Sequence, residues 1–224
     1  MAAIIQSYWS MLLGALGKTL LLTLLSLFFA MIIGMIFALM NVGRSRVCNC
    51  IGTIYVDAVR GVPLIVLAYF IYFGVPAGIK MMGIQDFRLS ALQAGTIALS
   101  MNCGAYMAEI IRAGIESVDK GQMEAGRSLG LNKFQTMRYI IIPQAFKSIL
   151  PPLGNEFIVL IKETSIVGYV GMSDLTRVAN QMTSKLFDVF TPLLGIAFIY
   201  FVLTKVLSIL LAKLERRLRK SDNR

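Results

Sequence analysis

The residues of this sequence that are best suited to bind a small polar molecule are polar side chains standing inside long apolar runs. Asn102, Tyr106 and Glu109 follow the spacing i, i+4, i+7, which places them on one face of a helix. Glu156 and Glu163 are seven positions apart and share a face in the same way. A carboxylate in such a place can bind an ammonium group, while amide and hydroxyl groups can bind a carboxylate.

These polar residues differ in how deeply they lie within their runs. Glu109 is near a predicted helix end and has Arg112 at i+3, so we interpret it as a structural ion pair. Asn102, together with Asn155 or Glu156, is the better candidate for a binding path. A charge near the centre of a bilayer costs about 2.5–3.5 kcal/mol, so these faces must line a cavity or another helix. Hydrogen bonds that only hold the helices together are an equal alternative.

The sequence offers little for catalysis or metal binding. It contains no histidine, which is the commonest general base, and no recognisable pair of nucleophile and base. Cys48 and Cys50 form a Cys-x-Cys pair without other nearby ligands, and Cys103 lies in an apolar run, so we expect free thiols. No G-x-x-x-x-G-K-[ST] loop for nucleotide phosphates occurs. We therefore expect no catalytic residue, no metal and no cofactor in this chain.

Composition places these residues in a membrane protein. The chain is 57% hydrophobic and 15% charged, whereas soluble domains carry about 25% charged residues. Its apolar residues cluster in long runs rather than in amphipathic stripes. The net charge of +10 does not indicate nucleic-acid binding, because the basic residues lie between and after the apolar runs instead of forming a patch with aromatics.

Five apolar runs approach the roughly 20 residues that a membrane-spanning helix needs. The predicted spans are 18–40, 53–75, 89–111, 149–170 and 192–211. Gly61-Val62-Pro63 interrupts the second run, and Pro151 and Pro152 suit the first turn of the fourth. Segment 1–17 lacks a basic region before an apolar stretch, so we expect no cleaved signal peptide. The fold prediction is an all-α, polytopic membrane protein with a single domain over 1–224.

The distribution of Lys and Arg predicts the orientation. With the C-terminus in the cytoplasm, the inner segments hold fifteen of these residues and the outer segments hold five. The inner residues are Arg44, Arg46, Arg60, Arg112, Lys120, Arg127, Lys133, Arg138, Lys147, Lys213, Arg216, Arg217, Arg219, Lys220 and Arg224. We therefore predict an outer N-terminus and a cytoplasmic C-terminus.

The longest inner segment, 113–148, is too polar to cross a bilayer and too short to be a domain. Good helix formers interrupted by Gly130 predict one or two short helices beneath the membrane. The segment contains Glu124-Ala125-Gly126-Arg127-Ser128-Leu129-Gly130-Leu131, followed by Ile140-Ile141-Ile142-Pro143-Gln144-Ala145. This pattern resembles the EAA loop of ABC-importer permeases, with Gly126 at the third motif position and Gly130 where the family has its glycine.

Further segments resemble the polar amino-acid branch of these permeases. They are Arg60-Gly61-Val62-Pro63-Leu64, Phe70-Ile71-Tyr72-Phe73-Gly74, Ala105-Tyr106-Met107-Ala108-Glu109-Ile110-Ile111-Arg112-Ala113-Gly114-Ile115, Leu153-Gly154-Asn155-Glu156-Phe157 and Lys162-Glu163-Thr164-Ser165. Together they cover most of 52–173. The sequence departs from the family at Val62, where Thr or Ser is frequent, and at Leu67, where Gln is common.

The resemblance implies a permease of the prokaryotic plasma (inner) membrane that imports polar amino acids. The residues implied to couple to a separate ATPase subunit, which binds ATP and Mg²⁺, are Glu124, Ala125, Gly126, Arg127 and Gly130. The residues implied for the substrate path are Asn102, Tyr106, Asn155, Glu156 and Glu163. The acids slightly favour a basic amino acid, but every amino acid carries an ammonium group, so a glutamine-like substrate stays open.

The resemblance also implies partners. Five spans are too few to enclose a path, so we expect a second permease copy, either identical or homologous. An extracellular or periplasmic binding protein would deliver the amino acid, and two ATPase subunits would bind inside. The alternatives are a secondary carrier or channel without an ATPase, whose usual inverted repeat is not evident, and a membrane-embedded enzyme, which the missing histidines disfavour.

Overall fold

The computed structural model describes residues 2–43 and 45–220, with side chains over 8–43 and 45–216, and all regular structure in these ranges is helical. The helices are α1 (Ala2–Val42), α2 (Arg46–Gly61), α3 (Leu64–Tyr69), α4 (Val75–Met81), α5 (Ala91–Glu116), α6 (Lys120–Ser128), α7 (Lys133–Thr136), α8 (Ile142–Glu163), α9 (Leu175–Leu186) and α10 (Phe190–Lys220). π-helical turns at Phe70–Gly74 and Met137–Ile141 join α3 to α4 and α7 to α8, and a 3₁₀ segment, Thr164–Val170, follows α8. The all-α prediction is confirmed. Arg44 and Arg224, counted above among the inner cations, lie outside the described residues.

Within the described ranges, three segments are long and apolar enough to cross a membrane. They are Tyr8–Val42 in α1, Leu64–Met81 along α3 and α4, and Phe190–Arg216 in α10. Helices α5 and α8 coincide with the third and fourth predicted spans but are less apolar. Helix α5 is packed between α1 and α8, so its buried residues include glycines, Ser100 and Asn102 besides large apolar side chains such as Leu99.

The second predicted span, 53–75, does not form one helix. Helix α2 ends at Gly61, and Val62 is extended, with φ −103° and ψ 131°. The residue before a proline is disfavoured in the helical region, and Pro63 lacks the N–H that would continue the ladder. Hydropathy does not reveal this break, because the residues on both sides of it are apolar. The segment suited to cross the membrane begins after the break, at Leu64.

The helix that contains most of the fourth predicted span, 149–170, begins well before residue 149 and ends at Glu163. One continuous helical rod runs from Lys133 through the π-turn to Glu163, and we call it the α7–α8 rod. Pro151 and Pro152 lie in its interior rather than in its first turn. Each π-turn is followed by a proline at the second position of the next α-helix, Pro76 and Pro143. Since proline clashes with the carbonyl four residues earlier, a local π-turn lets the helix continue.

The core of the bundle is the contact between α1 and α5, the most extensive in the molecule. A Cβ atom on Gly104 would lie 2.7 Å from Ile33 Cγ2, and one on Gly34 would lie 2.7 Å from Met107 Cβ. Glycines on both helices therefore let the two backbones approach closely, as is typical of helix pairs in membranes. A second cluster joins Leu12 of α1 to Leu175 of α9 and Ile196 of α10.

Helix α9 is fixed by a buried cap. Asp174 is fully buried and accepts hydrogen bonds from the N–H groups of Thr176 (3.1 Å) and Arg177 (3.0 Å). Burial raises the pKa of the Asp174 carboxyl, while these donors oppose the shift. The cap holds α9 against the starts of α1 and α10.

Candidate functional site

Helix α6 is a short helix that is capped at both ends, and it contains the motif that resembles the EAA loop. Asp119 Oδ1 accepts a hydrogen bond from the N–H of Gly121 at 2.7 Å. At the other end Gly130 has φ +84°, its N–H donates to Arg127 O at 3.0 Å, and the N–H of Leu131 donates to Gly126 O at 3.2 Å. These two hydrogen bonds form a Schellman motif, in which glycine adopts the left-handed conformation without steric strain. Gly130 therefore ends α6, as its position in the sequence indicates.

The motif residues do not all face the same way. Glu124, Ala125 and Arg127 are exposed, whereas Gly126 is buried against α7. A Cβ atom on Gly126 would lie 2.5 Å from Thr136 Cγ2 and 3.0 Å from Ile140 Cδ1. Gly126, one of the residues implied to couple to the ATPase, therefore does not share the exposed surface of Ala125, and its small size serves contact within the chain.

Two large apolar residues beside α6 escaped the sequence reasoning. Leu129 is 81% exposed and Phe134 is 71% exposed, although both stand in an otherwise polar segment. Large apolar side chains this exposed beside α6 are candidates for contact with a partner. The signal was available, since neither residue belongs to an apolar run.

The carboxylate cluster lies between α5 and the α7–α8 rod. Asn102 Nδ2 donates to Glu163 Oε2 at 3.3 Å, and Glu156 is buried beside the thiol of Cys103. No salt bridge to Glu156 or Glu163 is found among the described residues, and the neighbouring Lys162 is exposed on another face of the helix. Two carboxylates that make no salt bridge inside a helix bundle are costly when both are charged, and a cationic ligand would offset that cost.

The other two candidates for the path lie elsewhere. Asn155 is exposed and points away from its neighbour Glu156. The ring of Tyr106 faces α2, where the guanidinium of Arg60 lies 5.0 Å from its centre. The structure thus brings together three of the five candidates, Asn102, Glu156 and Glu163, and adds Cys103.

Glu109 makes the contact expected for a structural residue. Arg112 Nε donates to Glu109 Oε2 at 3.2 Å, and Arg112 Nη1 donates to Glu116 Oε2 at 2.7 Å. These residues, with Arg60 and Asp57 of α2, line a polar cavity of about 340 Å³. Two arginines face three acids in this cavity, and the salt bridges of Arg112 distinguish it from the carboxylate cluster.

A family model described as the binding-protein-dependent transport system inner membrane component matches residues 30–220. The probable glutamine ABC transporter permease protein GlnM of Bacillus subtilis (strain 168) is 41% identical over 98% of both chains. The L-cystine transport system permease protein TcyB of the same organism is 38% identical over 95% of this chain and 88% of its own.

The glutamine transport system permease protein GlnP of Escherichia coli (strain K12) is 35% identical over 90% of both chains. Among solved structures, a chain of an amino acid ABC transporter crystallised with histidines superposes with a TM-score of 0.87 at 43% identity, over 95% of this chain and 96% of that one. These similarities extend over nearly the whole sequence.

Proposed function

This chain belongs to the family of binding-protein-dependent transport system inner membrane components, and from that premise we propose how it transports polar amino acids. It is a permease subunit of an ABC importer and not itself an enzyme. Relatives named for glutamine and L-cystine transport support a polar amino acid as the substrate class. The unpaired carboxylates between α5 and α8 are the observation that carries the proposal.

The substrate path runs past Asn102, Glu156 and Glu163. The carboxylates bind the ammonium group that every amino acid carries, and Asn102 fixes the position of Glu163 through their hydrogen bond. The uncompensated charge also favours a substrate with a basic side chain, although the ammonium group alone would satisfy it. Tyr106 and Asn155 take no part in this cluster and have at most a secondary role on the path.

Coupling to ATP enters through α6. Its capped ends and the packing of Gly126 on Thr136 hold the helix as a rigid body, while Glu124, Ala125, Arg127, Leu129 and Phe134 remain exposed. This surface docks on an ATPase subunit, which binds ATP and Mg²⁺. Gly130 sets the angle at which the chain leaves the docked helix.

The topology has five spans, formed by α1, α3–α4, α5, α8 and α10, with the N-terminus outside and the C-terminus in the cytoplasm. The surplus of basic residues in the segments around α2 and α6 and after α10 supports this orientation. A second permease copy completes the path, and a binding protein delivers the substrate from outside.

The proposal is tested by uptake in proteoliposomes that contain the permease, its ATPase and its binding protein. Gly130→Val forces a β-branched residue to φ +84°, so we expect ATP-driven uptake to fall at least tenfold. Gly78→Val is the matched control, because it lies on α4 where an added Cβ meets nothing within 4 Å. Wild-type uptake by Gly130→Val with the ATPase still bound, or uptake that persists without nucleotide, would contradict the coupling role.

A further inference from the structure

The polar cavity beside Glu109 lies where the ends of α1 and α5 meet α2, and we call it the α2–α5 cavity. Its volume of about 340 Å³ is near the lower end of the range for small-molecule sites, about 300–1,000 Å³. Its walls include Asn41 of α1 and Asn49, Asp57 and Arg60 of α2, in addition to the ion pairs of α5. A cavity of this size and polarity can hold a small polar molecule such as a free amino acid.

Two opposite charges of α2 face this cavity without being paired. Asp57 and Arg60 are three residues apart, a spacing that permits an ion pair on a helix. Among the residues that the structure describes, neither takes part in a salt bridge. The guanidinium of Arg60 instead lies over the ring of Tyr106, 5.0 Å from its centre. Tyr106 is therefore a positioning residue, which keeps Arg60 apart from Asp57 and leaves both charges available to a ligand.

The side chain of Asn41 is a second, independent sign of a binding site. Asn41 is only 9% exposed on the cavity wall, and its Oδ1 has no hydrogen-bond partner among the described residues. Gly52 of α2 leaves the space that this amide occupies, since an added Cβ would overlap with it. A buried amide oxygen without a donor costs about 1–3 kcal/mol, and a polar ligand in the cavity would offset that cost.

The charges of the cavity favour a zwitterion. Arg112 is already paired with Glu109 and Glu116. Among the described wall residues, Arg60 is therefore the cation left for a carboxylate, and Asp57 is the anion left for an ammonium group. A phosphate group would be repelled by three acids, and a divalent cation would be repelled by two guanidinium groups.

The position of the cavity connects it to the carboxylate cluster. Glu109 lies two turns beyond Asn102 on the same face of α5, about 10 Å further along the axis. Glu116 is the last residue of α5, and α6 begins four residues later, at Lys120. The α2–α5 cavity therefore lies between the carboxylate cluster and the end of α5 that leads to α6.

We propose that the α2–α5 cavity is a second amino-acid site on the substrate path, which the amino acid occupies before it enters the cytoplasm. Arg60 binds the α-carboxylate, Asp57 binds the ammonium group, and Asn41 and Asn49 offer amides to a polar side chain. This inference rests on the proposed function for its orientation and its substrate class. Amino acid that accumulates in the cytoplasm fills the same site and slows further uptake.

Titration calorimetry on the full-length permease purified with its ATPase tests the site without any transport. L-glutamine is compared with L-glutaminamide, in which a neutral amide replaces the α-carboxylate. The carboxylate cluster binds the ammonium group, whereas the cavity binds both charged ends. We therefore expect two classes of site for L-glutamine and one for L-glutaminamide. One class of site that accepts both compounds equally would overturn the proposal, and this comparison needs no variant.

Uptake into proteoliposomes tests the consequence for transport. ATP and unlabelled L-glutamine are enclosed on the cytoplasmic side, and labelled L-glutamine with the binding protein is added outside. Enclosed L-glutamine should slow uptake, whereas enclosed L-glutaminamide should not. Arg60→Gln should raise about tenfold the enclosed concentration that halves the variant's own uptake, because a charge-assisted hydrogen bond is lost.

Two further variants serve as controls. Arg60→Lys keeps the charge but loses the planar guanidinium, so it should shift the inhibitory concentration less than Arg60→Gln does. Arg46→Gln removes an exposed cation from the same helix outside the cavity and should be inhibited as the wild type is. Wild-type inhibition of Arg60→Gln would place the inhibitory site elsewhere and contradict the proposal.

Failure of this inference is distinguishable from failure of the proposed function. If uptake requires ATP and Glu163 while enclosed L-glutamine has no effect, the proposed function stands and the second site is refuted. If the wild type shows no ATP-driven uptake, the proposed function fails, and the calorimetric comparison then decides on the α2–α5 cavity by itself.

Discussion

Glu163 accepts a hydrogen bond across a helix interface, but its carboxylate makes no salt bridge among the described residues. Asn102 orients one carboxylate oxygen, and Glu156 adds a second acid on the same helix face. A residue with a purely structural role would be stabilising, whereas a half-buried carboxylate without a salt bridge costs stability in the empty bundle when it is charged. Stability and transport should therefore respond to its neutralisation in opposite directions.

We expect Glu163→Gln to raise the amino-acid concentration for half-maximal uptake about 10-fold, which corresponds to about 1.4 kcal/mol. Thermal unfolding of the permease in detergent should stay unchanged or move to higher temperature, because the amide can still accept from Asn102. Asn155→Ala is the control, since its side chain is exposed, and it should change neither quantity. A lower unfolding temperature together with normal uptake by Glu163→Gln would assign the residue to the scaffold.

The adjacent residues Gly126 and Ala125 allow two roles of α6 to be tested separately, namely packing within the chain and docking on the ATPase. Gly126→Val would bring its Cβ to 2.5 Å from Thr136 Cγ2, so the isolated permease should lose about 1–3 kcal/mol of stability. Ala125→Val changes an exposed position, so stability should stay within about 0.5 kcal/mol while association with the ATPase weakens. Thermal unfolding and co-purification of the ATPase measure the two effects, and identical behaviour of the two variants would contradict the assignment.

The sequence identified the polar residues within apolar runs, but it did not predict which side chains they contact. Asn102, Glu156 and Glu163 were recognised because polar groups in apolar runs need a partner, and helical spacing assigns each to a face. Spacing does not say which helix covers that face. Asn155 and Tyr106 were therefore grouped with the acids, although Asn155 points outward and Tyr106 contacts Arg60.

At the scale of the helices, the contact between α1 and α5 depends on glycines. Gly104→Leu would place its Cβ 2.7 Å from Ile33 Cγ2 in a fully packed region, so we expect a loss of about 1–3 kcal/mol, measured by thermal unfolding in detergent. Gly14→Leu adds the same group to α1 where nothing lies within 4 Å and should be neutral. Equal stability of both variants would mean that the helices separate easily at this point.

Element boundaries were the weaker part of the sequence prediction. Apolar runs gave the approximate location of α1, α5 and α10, because burial and lipid contact both select apolar residues. The break before Pro63 and the extension of the α7–α8 rod to Lys133 were missed, since backbone geometry near proline and local π-turns leave no mark in hydropathy. Pro151 and Pro152 were read as a helix start, whereas the packed helix accommodates them in its interior.

At the scale of the whole molecule, the native cysteines report the orientation. Cys50 is exposed near the start of α2, whereas Cys103 is buried in α5. A membrane-impermeant maleimide should therefore label Cys50 in inside-out vesicles and leave it unlabelled in intact cells. Phe187→Cys, at a position that is 96% exposed before α10, should show the opposite pattern once the native cysteines are replaced by alanine. Labelling of Cys50 from outside would reverse the proposed topology.

The α7–α8 rod connects the proposed substrate site to the support of the proposed coupling helix without an intervening loop. Thr136, which supports α6 through Gly126, and Glu163, which carries the unpaired charge, belong to the same rod. At 1.5 Å per residue they are about 40 Å apart along its axis. A displacement of its cytoplasmic end should therefore change the affinity for the amino acid directly. Substitutions that make the rod flexible should then increase ATP hydrolysis that drives no uptake.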